Sequence, residues 1–84
     1  MSKELVDYLA RSLVGRPEKV AVTERQGEHE TLIELRVAPE DFNGLIGRQG
    51  GAVRAMRLLL AAASAKSGRR YGLELLQAPP ESET

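Results

Sequence analysis

Apolar residues recur along the chain in two different periods, and the switches between them mark the elements. Over residues 2–14, Leu5, Leu9 and Leu13 fall four apart, with Val6 and Tyr8 beside them. That spacing predicts an amphipathic helix, and Gly15 followed by Pro17 stops it. Residues 20–25 alternate instead, with Val20 and Val22 on one side and Ala21 and Thr23 on the other. The polar run Gln26-Gly27-Glu28 then predicts a hairpin turn. Residues 30–37 alternate more strictly: Thr31, Ile33, Leu35 and Val37 form the better core face, and Glu30, Leu32, Glu34 and Arg36 the other.

Pro39, Glu40 and Asp41 open a short helix, since proline suits the first helical position and acids the first turn. That placement explains the adjacent carboxylates without catalysis. Phe42, Leu45 and Ile46 supply its apolar stripe, and the glycines at 44, 47, 50 and 51 keep it short. A longer helix is predicted over 52–66, with Val53, Met56, Leu60 and Ala63 on one face and Gly68 at its end. Residues 70–76 read as a last strand, with Tyr71, Leu73 and Leu75 on one face. The expected order is helix, strand, strand, helix, helix, strand. A return through two helices suggests that the second and third strands run parallel, in a two-layer α+β domain with a three-stranded mixed sheet and three helices on one face. The folded domain is placed at 1–76, and the polar, proline-containing residues 77–84 are expected to be a disordered tail. Which strand lies in the middle does not follow from the sequence.

Composition narrows the chemistry. The chain has 84 residues and no cysteine, and its one histidine, His29, flanks the hairpin turn as a surface residue. Thiolate metal sites, cysteine nucleophiles and two-histidine metal sites are therefore excluded. Neither a P-loop nor a metal-ligand cluster is present, so no enzyme, cofactor or metal is expected. No apolar run is long enough for a membrane helix, and the N-terminus lacks an apolar signal core, which suits a cytoplasmic protein. With only Phe42, Tyr8 and Tyr71, an aromatic base-stacking platform is not expected either.

The formal charge is zero, but it is unevenly distributed. Residues 42–73 hold Arg48, Arg54, Arg57, Lys66, Arg69 and Arg70 and no acid, so the stretch is +6 and the rest of the chain −6. Inside the basic half lies Leu45-Ile46-Gly47-Arg48-Gln49-Gly50-Gly51, a G-x-x-G between two helices. Glycines there allow a tight, left-handed or strained turn and let a polyanion approach the backbone. The following helix presents free N–H groups and the positive end of its dipole. Arg48 at the tip, and Arg54 and Arg57 one and two turns on, can pair with phosphates. A bare G-x-x-G also suits a turn that merely lets two helices pack closely.

Taken with the element order, Ile46 before the first glycine and Val53 three residues after Gly50, the segment resembles the small single-domain bacterial KH proteins of the KhpA family, with the type II KH fold. The stretches E-L-V-D-Y-L-A-R-S-L-V, V-A-V-T-E and L-I-G-R-Q-G-G-A-V-R-A-M-R carry the likeness over nearly the whole chain. The resemblance implies cytoplasmic binding of single-stranded RNA with little sequence demand, by a post-transcriptional regulator or RNA chaperone. It also implies self-association or pairing with a second KH-containing protein, and a link to cell shape and envelope growth. On this reading Ile46, Gly47, Arg48, Gln49, Gly50, Gly51, Arg54 and Arg57 contact RNA, and Lys66, Arg69 and Arg70 are further candidates. Ile46, Val53 and Leu73 could line an aliphatic base groove or simply fill the core. In similar proteins a basic residue commonly follows the second glycine; here it is Gly51. The alternative is a protein assembly module, because residues 58–63, Leu-Leu-Leu-Ala-Ala-Ala, make the long helix apolar on nearly every side.

Overall fold

The alternation in residues 30–37 sets the centre of the molecule. In the computed structural model, which describes residues 2–79, this segment is the middle strand of a three-stranded sheet. The elements run α1 (Ser2–Leu13), a short 3-10 turn (Pro17–Lys19), β1 (Ala21–Gln26), β2 (Glu30–Val37), α2 (Pro39–Ile46), α3 (Gly50–Ser67) and β3 (Arg70–Gln77). β1 pairs antiparallel with β2, from Ala21 opposite Arg36 to Gln26 opposite Thr31. β2 pairs parallel with β3, from Glu30 beside Arg70 to Val37 beside Gln77.

Thr31, Ile33, Leu35 and Val37 are all buried, as the alternation requires. Ile33, Leu35 and Val37 meet Val6 and Ala10 of α1, Leu45 of α2, and Val53, Met56 and Leu60 of α3 in a single core. Burying a side chain such as Ile33, Leu35 or Leu45 contributes roughly 1.5–3 kcal/mol each. The helices share this one face of the sheet, which makes the α+β arrangement expected for a type II KH domain.

Several local features differ from the sequence reading. The 3-10 turn has no counterpart in the predicted elements; Pro17 starts it, and the N–H of Val20 closes it on the carbonyl of Pro17. α3 begins two residues earlier than the glycines suggest, at Gly50 itself. Gln77, assigned to the tail, is the last residue of β3, and the N–H of Ala78 still bonds Val37 O at 2.7 Å. The tail beyond it, residues 80–84, lies outside the described residues. Ile46 leaves the apolar stripe of α2 and is 61% exposed, because α2 ends there and the chain turns away from the core.

Candidate nucleic-acid interface

The turn between α2 and α3 closes without left-handed backbone. Among the described residues only Gly68, which caps the end of α3, has positive φ, at 79°. Gly47 adopts φ −90° and ψ −94° instead. Its lack of a side chain matters through proximity: a Cβ there would stand 3.3 Å from the carbonyl oxygen of Asn43. The N–H groups of Gly47, Gln49 and Gly50 fold back onto the carbonyls of Asn43, Gly44 and Gly47, at 3.0, 2.8 and 3.1 Å. Those of Ala52 and Val53 turn onto Gln49 O. The expected open array of helix N–H groups is therefore largely used within the turn. Gly51 is open: a Cβ there would have no neighbour within 4 Å.

Beside the turn lies a groove of about 450 Å³ between α2, α3 and β3. Phe42, Leu45 and Ile46 form one wall, Gly50, Val53 and Arg57 the floor, and Leu73, Glu74 and Leu75 the other wall. Ile46, Val53 and Leu73, whose roles the sequence leaves open, all line it. Val53 and Leu73 are also buried in the core, so the two roles coexist.

The β3 wall is an open sheet edge, and its backbone has a definite phase. Arg70 and Ala78 direct their N–H groups at His29 O and Val37 O, toward β2. The odd-numbered residues face the other way. Tyr71 N–H donates to Ser64 Oγ at 2.8 Å, and Leu73 O accepts from Arg57 Nη2 at 3.4 Å. By parity, Leu75 turns its N–H and C=O to the same open edge, inside the groove.

The basic residues divide into two groups. Arg48 and Arg54 are exposed around the turn, and Arg57 reaches across the groove floor. Lys66, Arg69 and Arg70 lie at the other end of α3, whose 18 residues span about 27 Å. Lys66 and Arg70 are exposed there. Arg69 is held by the β1–β2 hairpin: its guanidinium donates to Thr31 Oγ1 at 3.2 Å, Gly27 O at 3.1 Å and Glu30 O at 3.0 Å. Gln49, beside Arg48, sends its amide to Leu13 O rather than outward.

Composition and spacing do not single out Phe42, Leu75 and Glu74 as groove residues. Glu74 follows the basic stretch directly, but it lies beside Glu34 in the β2–β3 register, so its side chain belongs to the helix-free face and it borders the groove only from the strand edge. The signal for Leu75 is available in the alternation of the last strand, which places it on one face with Leu73.

On the side of α3 away from the groove, a shallow apolar depression of about 240 Å³ is lined by Leu9, Leu13, Ala52, Ala55, Met56 and Leu59. Large apolar side chains stand exposed on the same two helices: Tyr8 at 70%, Leu58 at 66% and Leu59 at 45%. Among the described residues no group of acids and histidine is placed to hold a metal ion, and no helix is long and apolar enough to cross a membrane.

The family model for the KhpA/KhpB KH domain matches residues 3–75. The RNA-binding protein KhpA of Treponema pallidum is 46% identical over 76 residues, covering 90% of this chain and 95% of the relative. The protein of the same name from Aquifex aeolicus is 44% identical over 75 residues, covering 89% and 95%. That of Clostridium perfringens is 42% identical over 74 residues, covering 88% and 99%.

Proposed function

The chain belongs to the KhpA/KhpB KH-domain family, and from that premise we propose that it binds single-stranded RNA, with the glycine turn against the backbone and the groove against the bases. One observation carries the reading: the turn with Arg48 and Arg54 borders a groove that ends on an open strand edge. Phosphates pair with the arginines, and bases enter between Ile46 and β3. There the outward N–H and C=O of Leu75 offer a donor and an acceptor to a base edge. The relatives are named for RNA binding, which supports RNA over DNA.

Apart from Arg57, the side chains that face the groove are apolar and offer no hydrogen-bonding group, so sequence preference is low. This suits a cytoplasmic RNA chaperone or post-transcriptional regulator, and the family resemblance extends the role to cell shape and envelope growth. A second reading is compatible with the first. The exposed apolar strip on α1 and α3 supports association with another copy or with a second KH-containing protein, centred nearer Leu59 and Leu9 than on residues 58–63 alone.

Arg48→Asp combined with Arg54→Asp tests the RNA reading. Both residues are exposed, so the far-ultraviolet circular dichroism and urea midpoint stay near those of the parent. Affinity for a short unstructured RNA falls by at least about tenfold, as expected when two arginine–phosphate hydrogen bonds are replaced by charge repulsion. Unchanged affinity in a folded double variant would refute the reading.

A further inference from the structure

Gln49 occupies the tip of the turn beside Arg48, yet the two side chains behave differently. Arg48 is exposed, whereas Gln49 is half-buried and its Nε2 donates to the carbonyl oxygen of Leu13 at 3.3 Å. That carbonyl belongs to the last residue of α1. In a continuing helix its partner would be the N–H four residues on, but residue 17 is Pro17 and has none. The exit of α1 thus holds an acceptor with no i+4 donor, the neighbouring Arg16 N–H is turned to Asp41, and the primary amide at 49 reaches it from the turn.

The same exit is tied from a second direction. The two carboxylate oxygens of Asp41 accept the N–H groups of Gly15 at 2.9 Å and Arg16 at 3.1 Å. The start of α2 and the end of the turn that follows α2 are therefore both bonded to one short stretch, residues 13–16. The backbone of Gln49 is engaged as well. Its N–H bonds Gly44 O, and its carbonyl accepts from Ala52 and Val53. A residue whose side-chain nitrogen, backbone N–H and carbonyl are all bonded within the protein is poorly placed to serve a ligand.

We propose that Gln49 is a positioning residue: it pins the glycine turn to the exit of α1, so that Arg48 and the first turn of α3 face RNA in one arrangement, while making no RNA contact itself. The affinity consequence rests on the RNA-binding reading above; the pinning of the turn does not.

Gln49→Met keeps the length and removes the donor. In the free protein, hydrogen exchange at the Gly50 and Ala52 amides, which bond Gly47 O and Gln49 O, should accelerate by about three- to tenfold, the range that removal of one hydrogen bond allows. The urea midpoint guards against general unfolding as the cause. Affinity for a short oligouridine should weaken by a similar factor, with no change in its salt dependence. In the parent protein saturated with that RNA, the Gln49 side-chain amide resonances should keep their free-state shifts and their cross-relaxation to α1. Unchanged exchange in Gln49→Met overturns the pinning. Unchanged affinity despite a loosened turn overturns the positioning role, as does transfer of the Gln49 amide from α1 to the RNA. Should the parent bind no oligouridine, the RNA reading fails alone, and the exchange comparison still decides the tether.

Discussion

At the scale of single residues, the glycine turn contains one position whose residue type carries a structural cost. Gly51 is the second residue of α3, with open space where its Cβ would be. Alanine there should stabilise the fold by up to about 1 kcal/mol, because the unfolded chain loses freedom and the helix gains a better former. Calorimetry would register this as a rise of roughly 4–8 °C per kcal/mol for a domain of this size. Gly51→Arg adds a cation beside the turn, and the salt slope of RNA binding should steepen by about 0.7. A slope that does not move places residue 51 off the path of the strand. Glu34 supplies a second residue-scale test. It lies on the helix-free face of β2, nearly buried, and accepts from Thr23 Oγ1 at 3.1 Å and Arg25 Nη1 at 3.4 Å, with Arg36 Nη1 at 3.7 Å. Desolvation pushes its carboxyl up, but those hydrogen bonds and the charges of Arg25 and Arg36 outweigh it and hold the group below the ordinary glutamate range. A folded-state value below the unfolded one, about 4.3, means the contribution is present above that pH and lost as pH falls through the folded value. The urea midpoint should therefore drop on acidification below about pH 4.3, and Glu34→Gln should make that drop smaller. An identical acid limb in the variant would count against the network.

Elements are held in register by long-range bonds that local patterns do not announce. Arg69, one residue ahead of β3, clamps both sides of the β1–β2 turn through Gly27 O, Glu30 O and Thr31 Oγ1. Arg69→Met should cost about 1–3 kcal/mol and speed amide exchange in the hairpin, because three acceptors lose a charged donor together. Its effect on RNA affinity should stay within about twofold, since the guanidinium faces the hairpin. A large affinity loss with a shallower salt slope would instead make Arg69 the RNA contact that its charge suggests. The alternation in residues 30–37 makes the central strand readable because both faces of a sheet impose period two. The parallel pairing with β3 is readable because two helices intervene. The place of β2 between its neighbours is not, since pairing joins residues some forty apart that share no local signal. Of the two backbones open to the glycine turn, left-handed or strained, the left-handed one is absent there and is found at Gly68, the terminator of α3. At 47 the need for glycine comes from the nearness of Asn43 O, which no spacing rule encodes. The basic half of the chain reaches both ends of α3, with Arg48, Arg54 and Arg57 at its start and Lys66, Arg69 and Arg70 at its end. It also sweeps in Arg69, because a sum of charges does not show which arginines are already paired.

On the whole molecule, α3 separates two surfaces. Val53 and Arg57, four apart, face the groove, while Ala52, Ala55 and Leu59 face the apolar depression shared with α1. If copies associate through the second surface with both glycine turns uncovered, one long strand should engage two copies at once. On the proposed reading, in which each turn clamps four nucleotides, about four phosphates are neutralised and the salt slope for a short strand should be near −3. A strand long enough for both turns should show about twice that slope and an avidity gain on the order of a hundredfold. Leu59→Glu places a charge in the apolar depression and, because Leu59 is already 45% exposed, should leave the monomer folded. Light scattering should then report a single-copy mass, short-strand affinity should match the parent, and the long-strand advantage and doubled slope should both disappear. If the parent is itself monomeric at micromolar concentration, the apolar strip does not serve self-association. If Leu59→Glu weakens short and long strands alike, the strip and the groove are not separate surfaces.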